Sequence, residues 1–96
     1  MQAAVTAPEL ETLRRAIDEI DSRLLALIEE RVRLVLRVGD FKREHGLAIY
    51  DPERERKLIE RLTAEANPPL EEGTIRRIFE RLIDESRRLE QRHAGK

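Results

Sequence analysis

Apolar residues recur in alternating steps of three and four from Leu10 through Leu13, Ile17, Ile20, Leu24 and Leu27, then Leu34, Val38 and Phe41, with His45 closing the series. This heptad phase predicts one long amphipathic helix. Thr6-Ala7-Pro8-Glu9 reads as a capping box with an early proline, which starts the helix near residue 7. The pattern runs to about Glu44, where Gly46 offers a C-terminal stop. At the helical rise that is a rod of roughly 55 Å. Asp51-Pro52-Glu53 then supplies an N-cap, a proline at N1 and an early acid for a second helix. Its apolar face is Leu58, Ile59 and Leu62, and Asn67-Pro68-Pro69 ends it. A third helix is expected from about Leu70 to Arg92, with Ile75, Ile78, Phe79, Leu82, Ile83 and Leu89 inward and Gly73 in its first turn.

One position breaks the long seam. The seventh of its eleven residues is Arg31, and a guanidinium there costs several kcal/mol unless it is paired or faces an anion. A second stripe lies beside the first: Arg14, Asp18, Asp21, Leu25, Ile28, Val32, Val35, Gly39 and Lys42. A stripe that wide needs cover on more than one side. Helices 2 and 3 of the same chain can cover one side of the rod, and a second subunit is needed for the other. The expected fold is therefore all-α, three helices per chain (one long, two shorter) in an intertwined, two-fold homodimeric bundle. The chain reads as a single domain over residues 1–96 with a core of about 7–92.

Composition agrees with long helices. Charged residues make up 41% and aromatics 3% of the 96 residues. The net charge of −1 gives no global pull toward nucleic acid or membrane, and Phe41, Tyr50 and Phe79 are too scattered for base stacking. The absence of cysteine excludes a disulfide framework and thiolate metal sites, and two isolated histidines suggest neither a metal site nor a triad. The start, MQAAVTAPELE, lacks the basic and apolar regions of a signal peptide. A soluble cytoplasmic protein without metal or cofactor is expected. Sixteen arginines stand against three lysines, a balance suited to carboxylate recognition as well as to surface ion pairs.

Polar residues at inward positions are the candidate chemistry. Arg31 and Lys42, eleven residues apart, point nearly the same way, roughly 16 Å apart along the axis. They are placed to close on a small dianion, with Gly39 between them allowing close approach to the backbone. Arg14 is roughly 25 Å from Arg31, too far for one small ligand in the same chain, but an antiparallel partner helix can bring it there. On helix 3 the inward stripe continues through Ser86 to Leu89 or Glu90, and helix 2 opens with Arg54 and Glu55. Three helices bringing polar groups to inward positions fits a polar pocket inside a bundle. Plainer roles compete: Arg31 as a register-setting residue, Asp51 as an N-cap, Arg54 and Glu55 as a solvated face, Ser86 as a small packing residue. His45 is expected on the C-terminal carbonyls of helix 1.

Over about residues 10–91 the chain resembles the all-α, AroQ-class chorismate mutases of the shikimate pathway. The resemblance rests on Leu13-Arg14, Ile17-Asp18-Glu19-Ile20-Asp21 and Leu24-Leu25-Ala26-Leu27-Ile28-Glu29-Glu30-Arg31. It continues in Val38-Gly39-Asp40-Phe41-Lys42, Asp51-Pro52-Glu53-Arg54-Glu55-Arg56 and Ile83-Asp84-Glu85-Ser86. It implies an intertwined dimer with two composite sites that convert chorismate to prephenate. It further implies that Arg14, from the partner chain, and Arg31 bind substrate carboxylates. Lys42 would contact the ether oxygen and a carboxylate, and Glu55 would hold the ring hydroxyl. Val38, Asp51, Arg54 and Ser86 match other substrate-binding positions, with Ser86 near the ring carboxylate.

Glu90 falls where many members carry a glutamine that donates to the ether oxygen. An ionised carboxylate cannot donate, so Glu90 would have to be kept protonated by burial, against a nearby Lys42, and activity should fall as pH rises. The reaction itself needs no nucleophile and no obligatory proton transfer, only a held reactive conformer and stabilised charge. An isochorismate–pyruvate lyase of the same fold is the nearest alternative, though such enzymes tend to lack acids like Asp51 and Glu55. A mutase module that regulates a DAHP synthase partner, or a purely structural helical dimerisation module, are the others.

Overall fold

The computed structural model describes residues 6–95; residues 1–5 and Lys96 of the expected domain, and with them part of the leader reading, lie outside the described residues. Three helices follow in order: α1 (Ala7–Glu44), α2 (Pro52–Glu65) and α3 (Glu72–Ala94). The chain divides between Arg33 and Leu34 into two units.

The first unit is the N-terminal part of α1. Its start is the capping box expected from the sequence. Glu9 N–H donates to Thr6 Oγ1 at 3.2 Å, and Thr6 N–H donates back to Glu9 Oε2 at 3.3 Å, satisfying donors that a helix end leaves orphaned. Every residue from Thr6 to Glu30 is exposed. That includes seam residues Leu13, Ile17, Leu24 and Leu27, each half or more exposed. A row of exposed leucine and isoleucine along one helix face is far more apolar surface than a lone soluble helix carries.

The second unit holds the end of α1 with α2 and α3. Helix α1 stops in a Schellman motif. Gly46 adopts φ +66°, Leu47 N–H reaches Lys42 O at 2.8 Å, and Gly46 N–H reaches Arg43 O at 3.4 Å. His45 Nδ1 lies 2.8 Å from Phe41 O and its ring stacks on Phe41 at 4.0 Å between centroids, as expected for a histidine at a helix C-terminus. Asp51 caps α2, its Oδ1 accepting from Arg54 N–H at 3.0 Å, with Pro52 following at the start of the helix. Along α2, Arg56 bridges Glu53 and Glu60, and its guanidinium holds the Glu53 carboxyl below the usual range. These exposed pairs add little stability.

Helix α3 begins two residues later than the sequence suggests. Leu70 N–H is taken up in a turn to Asn67 O at 3.1 Å, after a cis peptide bond between Pro68 and Pro69. Glu71, in extended conformation, then serves as the N-cap without a side-chain bond. Helices α2 and α3 pack against each other, burying Leu58 and Ile59 against a face of α3 that contains Ile75. Phe79, Leu82 and Ile83 are half-buried, whereas Ile78 and Leu89, expected inward, remain exposed in the single chain. Among the described residues no helix is long and apolar enough to cross a membrane.

Candidate functional site

The apolar core of the second unit is small, and polar groups are buried beside it. Ser86 is 2% exposed and Glu90 4%. Both lie on α3 one turn apart, in the stripe that opens with Ile75, so helical periodicity alone turns them inward. Ser86 Oγ donates to Leu82 O at 2.7 Å, one turn back, which is how a serine inside a helix satisfies its hydroxyl.

Glu90 needs more. Its carboxylate lies directly on the backbone of α1 at Gly39, which is itself buried. A side chain at that position would have its Cβ 2.5 Å from Glu90 Oε1 and 3.0 Å from Glu90 Cγ. Glycine therefore makes room for an acid, where the sequence suggested room for a ligand or a helix. Arg43, one turn further along α1, forms an ion pair with Glu90 Oε1. Arg43 in turn donates to Asp40 Oδ1 at 2.6 Å, and His93 Nε2 lies 3.1 Å from the same oxygen. The chain of contacts runs His93–Asp40–Arg43–Glu90 and links the last turns of α1 and α3. His93 first, and Arg43 second, hold the Asp40 carboxyl below its ordinary range. Glu90 and Asp40 push the Arg43 guanidinium further up.

The sequence reading places Lys42 as the cation near Glu90. The structure puts Arg43 on that carboxylate, while Lys42, half-buried, reaches Ile49 O at 3.5 Å across the turn after α1. Glu55 is half-buried and its carboxylate is held by Arg87 of α3. The Arg87 guanidinium also sits 4.8 Å above the Tyr50 ring, a cation–π contact. A pocket of about 350 Å³ opens here, with Arg43, Tyr50, Arg87, Glu90 and Gln91 in its wall.

The remaining candidates are placed less centrally. Asp51 and Arg54 are exposed at the start of α2, with Asp51 engaged as the cap. Val38 is exposed on α1. Arg14 and Arg31 belong to the first unit, Arg14 exposed and Arg31 half-buried. The structure thus assembles Glu90 with Arg43 and Gly39, and Glu55 with Arg87 and Tyr50. Arg43 and Arg87 are missing from the sequence reading. Each sits one step, about 100° of rotation, from a residue that was singled out, Lys42 and Ser86 respectively. The available signal at Glu55 was an inward acid with no cation assigned to it; Glu90 already had Lys42, so nothing pointed to Arg43.

In chemical terms the second unit offers cations and acids alternating around an aromatic ring and a small pocket. Such a wall recognises a compact ligand bearing both anionic and hydroxyl groups.

Residues 13–91 match the family model described as chorismate mutase type II. A chorismate mutase of Methanocaldococcus jannaschii is 36% identical over 88 residues, covering 88% of this chain and 87% of that protein. Among solved structures, chorismate mutase from Thermus thermophilus (form II) superposes with a TM-score of 0.84. It is 38% identical and covers 86% of this chain and 94% of its own. Chorismate mutase from Helicobacter pylori in complex with prephenate superposes with a TM-score of 0.85 at 26% identity, covering 91% of this chain and 94% of its own. Other relatives are much longer: the chain spans 15% and 20% of the length of two that it matches, one of them a bifunctional chorismate mutase/prephenate dehydratase.

Proposed function

This chain belongs to the chorismate mutase type II family, and from that premise we propose that it rearranges chorismate to prephenate in the cytoplasm. The observation that carries the reading is the burial of Ser86 and Glu90. A chain with so small an apolar core places polar groups at inward positions only at a cost, and a pocket for a polar ligand explains it. The solved relative from Helicobacter pylori, which binds prephenate, supports the same ligand class.

The rearrangement breaks one ether C–O bond and forms one C–C bond within a single molecule. The protein has to hold the folded conformer and stabilise negative charge growing on the ether oxygen. Under this proposal Arg31 and Arg14, the latter from the second chain of a dimer, bind the two carboxylates. Lys42 meets the ether oxygen, Glu55 the ring hydroxyl, and Val38, Asp51, Arg54 and Ser86 complete the pocket. Glu90, when it carries a proton, keeps Oε1 as the acceptor of Arg43 and donates to the ether oxygen from its other oxygen. The dimer is part of the proposal, supported by the exposed apolar seam of Leu13, Ile17, Leu24 and Leu27 on α1.

Spectrophotometric loss of chorismate, with Arg31→Ala as control, tests the function. We expect turnover by the parent and a loss of about a hundredfold or more in the variant, as when a preorganised charge donor is removed. No loss of chorismate, with turnover of isochorismate instead, would assign the lyase. For Glu90, we expect the Glu90→Gln variant to turn chorismate over at least as fast as the parent at neutral pH, because an amide donates whatever the pH. A Glu90→Gln variant slower than the parent removes the donor role given to Glu90.

A further inference from the structure

The contacts around Glu90 assign a role to a residue outside the substrate contacts proposed above, and the inference rests on that reading of the site. We propose that Arg43 is a positioning residue that fixes the Glu90 carboxyl through Oε1, so that Glu90 presents one defined oxygen to the substrate. Three observations converge. The ion pair from Arg43 is made to Oε1. Gly39 lets that carboxyl lie against the α1 backbone, with Oε1 the closest Glu90 atom to where a Cβ would stand. Arg43 is itself braced, by Asp40 at 2.6 Å, and Asp40 by His93 at 3.1 and 3.2 Å to its two oxygens.

The bracing separates this pair from an ordinary surface ion pair. Surface pairs hold two long side chains loosely and contribute little. Here the acid's side chain is 6% exposed, the guanidinium's 32%, and both partners are gripped from a second side. A side chain locked by its neighbours holds a reacting group to within the fraction of an ångström that catalysis requires. Arg43 need not touch substrate to matter: releasing it lets the Glu90 carboxyl rotate about its terminal torsion, a broad and soft degree of freedom.

The test is a double-mutant cycle on chorismate turnover, using the intact chain. Arg43→Met should lower kcat by about ten- to a hundredfold with KM changed far less, as expected when geometry and not binding is lost. Arg43→Lys should recover part of the rate. In a Glu90→Ala background Arg43→Met should have less than about a threefold effect, because its partner has gone. Equal losses in both backgrounds, or a loss confined to KM, would overturn the proposal. The ¹³C resonance of the Glu90 side-chain carboxyl provides a readout independent of turnover. It should move on Arg43→Met with helix content unchanged, and an unmoved resonance also refutes the role. A parent without chorismate turnover would sink the mutase reading, while the resonance still decides whether Arg43 holds Glu90.

Discussion

Replacing Gly39 by alanine sets two effects of opposite sign against each other. In the interior of a helix the change should stabilise by about 1 kcal/mol, since glycine pays the larger backbone entropy. At this position the added methyl stands 2.5 Å from Glu90 Oε1, 3.0 Å from Cγ and 3.1 Å from Cδ. Carboxyl and methyl must separate by about 1 Å to reach ordinary contact. That displaces the acid from Arg43, and a hydrogen bond to a charged group is worth about 1.5–3 kcal/mol. Glu90 is buried, so water does not simply replace the lost partner. The net expectation is a destabilisation of about 0.5–2 kcal/mol. Urea unfolding followed by circular dichroism at one fixed protein concentration measures it, the concentration being held because the proposed association would add to apparent stability. The decisive comparison is Gly39→Ala in a Glu90→Ala background. There the obstruction is gone and the same substitution should stabilise by about 1 kcal/mol. If Gly39→Ala stabilises equally in both backgrounds, Gly39 is not there to admit Glu90.

Three further outcomes are expected. Asp51→Ala should cost about 1 kcal/mol, read from urea melts, because Arg54 N–H loses its acceptor at the start of α2. Asp40 has a lowered folded-state value relative to 3.8. Its contribution to stability is therefore complete above about pH 4 and lost as pH falls through the folded-state value, and Asp40→Asn should shrink the stability lost on acidification in that window. Leu24→Lys, in the exposed seam of α1, should shift the protein to monomer by sedimentation and lower chorismate turnover with it; an unchanged dimer would show that the seam is not the interface.

Where a structural rule is local, the sequence is legible. Thr6 with Glu9, Gly46 after Glu44, and Asp51 before Pro52 each act within a few residues, and each appears in the structure as expected. The start of α3 is not legible in this way. Glu71 caps it with no side-chain bond, and the two preceding prolines merely exclude helix, so nothing in the sequence marks the first turn. Ser86 and Glu90 were visible because periodicity carries an apolar stripe into them. Arg43 and Arg87 were not, because, unlike Arg31, neither falls in an apolar stripe. Their partners are also 47 and 32 residues away, beyond the reach of helical spacing rules. Ile78 and Leu89 show the complementary limit: a pattern reveals which face is apolar without revealing what covers it.

The exposed N-terminal stretch of α1 has a consequence for how fast its amide protons exchange with solvent. A helix segment without packed neighbours opens by fraying and local melting, at little free-energy cost. Residues 10–30 of an isolated chain should therefore exchange quickly, even though they lie in the longest helix of the molecule. Slow exchange over that stretch is a property that only an assembled species has. Protection there, followed against dilution, reports subunit association residue by residue, while Leu58, Ile59 and Ile75 report the folding of the chain itself.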